Sequence, residues 1–240
     1  MRTLSDVSKK ETAAWSTNKK MTKKEDQTLT LAVLASGSGS NFQSIIDNIE
    51  SGYLNAKVAV LVTDNAGAYA IKRAKKHNIE HLVIKPKDFP DRPSYSSSIA
   101  EELKKRGVDL VILAGFMRVV DKALIDHYPN KIMNIHPALL PSFPGLHGQK
   151  QAADYGVKIS GCTVHFVDEG MDTGPIIVQA AVPAYHDDDE ESLGKRILKQ
   201  EHRIFPYAIK LYSEGKISIE GRKVIITAER EDSPLQNPPL

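Results

Sequence analysis

Cysteine is nearly absent: Cys162 stands alone among 240 residues, which excludes an internal disulfide framework and any multi-cysteine metal site. It lies in the apolar run Gly161-Cys162-Thr163-Val164 and reads as a buried structural thiol rather than a nucleophile. Long hydrophobic runs are missing too. No stretch reaches the ~18 apolar residues of a membrane span, and the N-terminus lacks the apolar core of a signal peptide. The expectation is therefore a cytoplasmic protein with no membrane partner. Charge of one sign is not in excess either, because the net charge is only +2. The first 28 residues carry seven Lys/Arg against four acids, which leaves −1 for the remainder and gives no support to a nucleic-acid-binding surface. His147, His165 and His186 have no metal-ligand spacing, so no metal site is expected.

What remains is a soluble globular composition, 41% hydrophobic and 26% charged, long enough for one large α/β domain. Residues 1–28 are polar, lysine-rich and without periodicity, and read as a disordered extension. From Leu29 strands and helices alternate. Leu29–Ala35 is an apolar strand, followed by a Gly/Ser loop and a helix with Phe42, Ile45, Ile46 and Ile49 at helical spacing. Strands over 58–62, 81–84, 110–114 and 132–136 are interleaved with helices over 68–77, 94–106 and 122–127. Such alternation with short turns predicts a doubly wound, mostly parallel sheet. After residue 156 the rhythm changes to strands over 162–167 and 176–182, which form the antiparallel C-terminal part. A long helix over 188–212, kinked at Pro206, and a closing hairpin with Gly221 near its turn complete a catalytic domain over 29–228. The proline-containing segment 229–240 is expected to be a mobile tail.

The most informative residues are in Asn134-Ile135-His136-Pro137 and Met171-Asp172-Thr173-Gly174-Pro175. Residues two apart on a strand face the same side, so Asn134 and His136 project together from the end of an apolar strand. Amide, imidazole and carboxylate can together handle acyl chemistry without a metal. The alternative is a pair of hydrogen-bonded core residues.

Ser36-Gly37-Ser38-Gly39-Ser40-Asn41 lies between the first strand and the first helix. Small residues and free amides at a helix N-terminus suit a phosphate. The loop lacks the Gly-Lys-Ser/Thr of a Walker A motif, and Phe42 occupies the last glycine position of the dinucleotide fingerprint. It can also be read as a glycine-rich turn with Ser40 or Asn41 as helix cap. Glu201 falls on the apolar stripe marked by Leu193, Ile197, Ile204 and Ala208. An inward carboxylate needs a partner, either an internal cation or a pair of ligand hydroxyls such as those of a ribose. In the acidic run His186–Glu191, Asp188 is read as the cap of the long helix.

Taken together these residues resemble the glycinamide ribonucleotide formyltransferases over roughly 29–228. The resemblance is carried by the loop Ala35–Asn41, Leu113-Ala114-Gly115-Phe116-Met117-Arg118, Asn134–Pro141, Pro144-Gly145-Leu146-His147, Val164-His165-Phe166-Val167 and Gln200-Glu201-His202. It implies an α/β fold that moves a formyl group from the co-substrate 10-formyltetrahydrofolate to the amine of glycinamide ribonucleotide. It further implies that Gly39, Ser40 and Asn41 hold the phosphate and that Glu201 holds the ribose hydroxyls. Arg92, Met117, Arg118, Val119, Val120, Asn134, Asp168, Glu169, Gly170, Met171 and Asp172 would line the folate pocket. Leu140-Pro141 resembles a cis peptide of the family, and Leu198 stands where many members carry Lys or Gln.

The mechanism expected from this set has Asn134 donating to the oxyanion of a tetrahedral intermediate and Asp172 raising the pKa of His136. Formyltetrahydrofolate hydrolases and methionyl-tRNA formyltransferases share the three groups. The first normally adds an N-terminal regulatory domain and the second a C-terminal domain with a basic surface, neither of which is expected here. Outside this chemistry stands a plain nucleotide-binding module. The partners expected are small molecules, and the protein is either a monomer or a homodimer.

Overall fold

A computed structural model of the chain describes residues 28–227 and 236–237. The expectations for the N-terminal extension and for the tail, Gln236–Asn237 apart, lie outside the described residues. The elements are β1 (Leu29–Leu34), α1 (Ser40–Glu50), β2 (Ala56–Thr63), α2 (Tyr69–Lys76), β3 (His81–Val83), α3 (Arg92–Lys105), β4 (Leu110–Leu113), α4 (Lys122–His127), β5 (Ile132–His136), α5 (Gly148–Tyr155), β6 (Ile159–Phe166), β7 (Ile176–Pro183), α6 (Glu190–Ser213), β8 (Ile217–Glu220), β9 (Lys223–Ile226) and β10 (Gln236–Asn237). One sheet runs β10-β7-β6-β5-β4-β1-β2-β3, while β8 and β9 pair by themselves. Strands β3, β2, β1, β4 and β5 are parallel, and β6, β7 and β10 continue the sheet antiparallel. This is the expected architecture.

Period-two alternation sends successive apolar residues of the central strands to opposite faces. In β1, Leu31 and Val33 join a core with Phe42, Ile45 and the α6 residues Ile197, Ile204 and Phe205. Ala32 and Leu34 join a second core on the other face with Tyr95, Ile99 and Leu103 of α3. Both faces are covered, so the middle of β1 is apolar on either side. The chain leaves β1 to one side for β2 and β3 and to the other for β4 and β5. The crevice between the carboxyl ends of β1 and β4 is thus the topological switch point, where open α/β sheets bind ligands.

Helix α6 runs through Pro206 as one element. A proline leaves the carbonyl four residues earlier without its amide partner. Here that carbonyl belongs to His202, and the Ser44 hydroxyl of α1 donates to it at 2.8 Å. The defect in α6 therefore docks α1. The cap of α6 is Asp189 rather than Asp188: Asp189 and Ser192 form a reciprocal capping box. Asp188 is occupied by Arg196, at 2.7 and 3.0 Å, and by the Tyr185 N–H at 2.7 Å. Helix α5 was not expected. Its buried side is small, with only Gly148 and Ala152 fully covered, and offers no apolar stripe to read.

Candidate active site

Strand β5 turns Met133 and Ile135 into the larger core, so Asn134 and His136 project from the opposite face. The segment between β6 and β7 folds back over that face and brings Asp172 to both. Asp172 Oδ2 lies 3.4 Å from His136 Nδ1, and Asn134 Nδ2 donates to Asp172 Oδ1 at 3.4 Å. The Gly145 N–H donates to Asp172 Oδ2 at 2.7 Å, and His136 Nε2 donates to the Phe143 carbonyl at 2.8 Å. The three residues singled out from the sequence thus converge in one partly buried cluster. Asp172 and Phe143 adopt left-handed backbone, with φ of 55° and 54°. Non-glycine residues rarely do so, and such strain gathers at functional sites.

A fourth member was not anticipated. His165 is the register partner of Asn134 across the β5–β6 pair. Its Nδ1 donates to the Phe166 carbonyl at 2.8 Å, and its Nε2 is hydrogen-bonded with Asn134 Nδ2 at 3.2 Å. The Asp172 carboxylate, which can only accept, fixes which end of the Asn134 amide is the donor end. His165 Nε2 also lies 3.6 Å from Asp172 Oδ1. In the sequence it appeared only within the motif Val164-His165-Phe166-Val167, with no role attached. The pairing itself needs the antiparallel register.

The electrostatics correct one expectation. Burial holds the His136 imidazole below its ordinary value; Asp172 and the Phe143 carbonyl pull it up, His165 pushes it down, and burial outweighs them. His136 is therefore neutral at rest, with Nε2–H committed to Phe143 and its lone pair at Nδ1. Asp172 is pushed up by burial, but His165, the Gly145 N–H and His136 together hold it below the usual carboxylate range. A neutral base beside a carboxylate that stays ionised can take up a proton and have the resulting cation stabilised.

At the carboxyl end of β1, Gly39 caps α1 in left-handed conformation, φ 67°, so neither Ser40 nor Asn41 is the cap. A Cβ at Gly39 would come within 2.8 Å of Ala70 Cβ, so the close packing of α2 on this loop requires glycine. Arg73 of α2 braces it further by donating to the Ser38 carbonyl at 2.9 Å. The first amides of α1 remain free for an anion. Glu201 is buried beside them and receives Asn41 Nδ2 at 2.7 Å on Oε2. Among the described residues no cation pairs with Glu201 and nothing donates to Oε1. Burial pushes its carboxyl above the ordinary range, and the Asn41 bond offsets only part of this. Asn41 Oδ1 and His202 Nε2 are also buried, without hydrogen-bond partners among the described residues.

The segment 115–120 lines the crevice at the end of β4. Ser36 N–H donates to the Gly115 carbonyl at 3.0 Å, and the Met117 N–H donates to Ser36 Oγ at 2.8 Å. Arg118 Nε pairs with Asp64 Oδ2 at 2.6 Å. Met117 and Val119 are exposed, while Val120 packs on the second core. In the segment before Asp172, Asp168 Oδ1 accepts from the Gly170 N–H and Thr173 Oγ1, Glu169 pairs with Lys122, and Met171 is exposed. Arg92 opens α3, exposed and without hydrogen bond or ion pair among the described residues. Leu140-Pro141 is cis, as the resemblance implied. Cys162 is buried, and burial pushes its thiol far up, as expected of a structural thiol.

A model of the formyl transferase family matches residues 29–209. Phosphoribosylglycinamide formyltransferase of Bacillus subtilis is 44% identical over 179 residues, covering 75% of this chain and 92% of that protein. The crystal structure of glycinamide ribonucleotide transformylase 1 from Symbiobacterium toebii aligns with a TM-score of 0.83 at 48% identity, covering 85% of this chain and 95% of that one. The trifunctional purine biosynthetic protein adenosine-3 of Drosophila melanogaster is 49% identical over 187 residues; the chain spans 14% of its length. A match across most of the chain, at this identity and with the same fold, means that the chain belongs to the formyl transferase family, alongside the phosphoribosylglycinamide formyltransferases.

Proposed function

We propose that the chain transfers the formyl group of 10-formyltetrahydrofolate to the amine of glycinamide ribonucleotide, a step of purine synthesis. The observation that carries this reading is the convergence of Asn134, His136 and Asp172 on one strand face in a chain of this family. The ribonucleotide phosphate sits on the free amides of Gly39, Ser40 and Asn41, and the ribose hydroxyls are held by Glu201, whose Oε1 is open. The folate lies along Met117, Arg118, Val119 and Val120 and the segment Asp168, Glu169, Gly170, Met171 and Asp172, with Arg92 at its outer end.

The amine nitrogen attacks the formyl carbon, a C–N bond forms, and the carbonyl oxygen becomes an oxyanion. Asn134 Nδ2 donates to it by exchanging the longer of its two bonds, the one to Asp172. One such donor contributes about 3 kcal/mol to the transition state. His136 takes the amine proton and Asp172 stabilises the cation. The proton then goes to the folate nitrogen as its bond to the formyl carbon breaks. The amide, imidazole and carboxylate suffice, and no step is assigned to a metal.

The test is turnover of 10-formyltetrahydrofolate with and without glycinamide ribonucleotide. Formyl transfer that requires the amine supports the reading. Folate turnover at the same rate without it would overturn it in favour of a hydrolase.

A further inference from the structure

Strand β7 reads Ile176-Ile177-Val178-Gln179-Ala180-Ala181-Val182-Pro183, with Gln179 its only polar side chain. Resting on the transfer reading above, we propose that Gln179 is a positioning residue for His136, acting through Thr163 and the segment 138–145. His136 pairs in register with Thr163 across β5 and β6, and Thr163 with Gln179 across β6 and β7. Directly opposed residues share a face, so the three side chains form one row across the sheet.

The Thr163 hydroxyl and the Gln179 amide nitrogen make four hydrogen bonds in that row. The Thr163 hydroxyl, fully buried, donates to the Ala138 carbonyl at 2.7 Å and accepts from the Leu140 N–H at 3.0 Å. Gln179 Nε2 gives one proton to Thr163 Oγ1 at 3.0 Å and the other to the Leu140 carbonyl at 2.9 Å. Three main-chain groups just beyond His136 are thereby pinned to the sheet. The pinned segment leads to Phe143, whose carbonyl accepts His136 Nε2–H, and to Gly145, whose N–H donates to Asp172. Both edges of the imidazole are thus set by one segment. Gln179 makes no hydrogen bond to His136, Asn134 or Asp172, so its effect is transmitted. Two donors on one nitrogen are required. A carboxylate at 179 has none and repels the Leu140 carbonyl, whereas an apolar side chain leaves that carbonyl and Thr163 short of a partner. The consequence is a single imidazole tautomer, with the lone pair kept at Nδ1 beside Asp172.

Gln179→Leu and Gln179→Glu in the full chain are predicted to lower kcat by about 10- to 100-fold. KM for the ribonucleotide stays unchanged, because that contact lies at α1 and α6. In nitrogen-edited NMR the unaltered protein shows a protected His136 Nε2–H, and the variants lose it. Thr163→Val follows Gln179→Leu, while Thr163→Ser, which keeps the hydroxyl, retains the imidazole signal and most of kcat. A Gln179→Leu protein with native kcat and an unaltered imidazole signal overturns the proposal. So does a loss of kcat that only tracks the folded fraction. If Gln179→Leu does not fold, the Thr163→Val and Thr163→Ser pair decides by the same readouts. Failure of the unaltered protein to transfer formyl groups would refute the transfer reading alone, since the imidazole signal reports positioning without turnover.

Discussion

Asp172 Oδ2 lies 3.4 Å from His136 Nδ1 and accepts the Gly145 N–H at 2.7 Å. One carboxylate oxygen therefore faces both the proposed base and the segment that holds it. On the proposed mechanism it is the charge of Asp172, rather than its shape, that His136 requires. Asp172→Asn is expected to keep the fold while lowering kcat by about 100-fold or more. The same change removes the carboxylate charge that pulls the His136 pKa up, so the imidazole is expected to titrate lower still in an NMR titration. An unchanged titration would separate Asp172 from the base.

Asn134→Ala removes the donor assigned to the oxyanion. Single donors of this kind are worth about 3 kcal/mol, or roughly 100-fold in kcat. Because the contact forms only in the transition state, KM should hardly move. Steady-state kinetics with both substrates varied checks this, and a rise in KM at constant kcat would assign Asn134 to substrate binding instead.

The proposed ribose contact of Glu201 sets binding against stability. Its folded pKa is raised by burial above the unfolded value, so the unfolded chain ionises first as pH rises. The stability linked to this group is present at acid pH and lost as pH climbs through the folded value. At neutral pH Glu201→Gln is therefore expected to raise Tm while KM for the ribonucleotide also rises. Thermal melts at pH 5 and 8 with parallel kinetics test both halves. A lower Tm at pH 8 would contradict the sign.

For His136 the sign is reversed. Its folded pKa lies below the ordinary 6.5, because burial disfavours the cation. As pH falls below 6.5 the unfolded chain takes up the proton first, so this contribution to stability is present above 6.5 and fades towards the folded value. The acid limb of kcat should likewise fall below pH 6.5. An acid limb above that value would mean that Asp172 outweighs burial.

Gly39→Ala is expected to destabilise by about 1–2 kcal/mol from the left-handed backbone alone. The new Cβ would also meet Ala70 Cβ at 2.8 Å, so α2 must move from the loop. Urea unfolding measures the first effect and ribonucleotide KM the second.

Much of this was legible because periodicity follows from local geometry. The α4 range and the strand ending at His136 were read correctly, and the inward position of Glu201 followed from helical spacing alone. Helix α5 was not, since two small buried residues make no stripe. The α6 cap was misplaced by one residue, because Asp188 and Asp189 are equally good caps until Arg196 claims the first.

By itself the sequence determined the doubly wound sheet, the glycine loop before α1, the buried Cys162 and the pairing of Asn134 with His136 on one face. Each is written in spacing along a single element. The tertiary structure alone decided that Asp172 closes on His136, that His165 orients Asn134, and that Gln179 reaches the segment beyond His136. These depend on strand register and on a segment folding back across a sheet face. It also decided the sign of the His136 shift. A carboxylate nearby can be guessed from a motif, but the depth of burial that outweighs it belongs to the packed molecule.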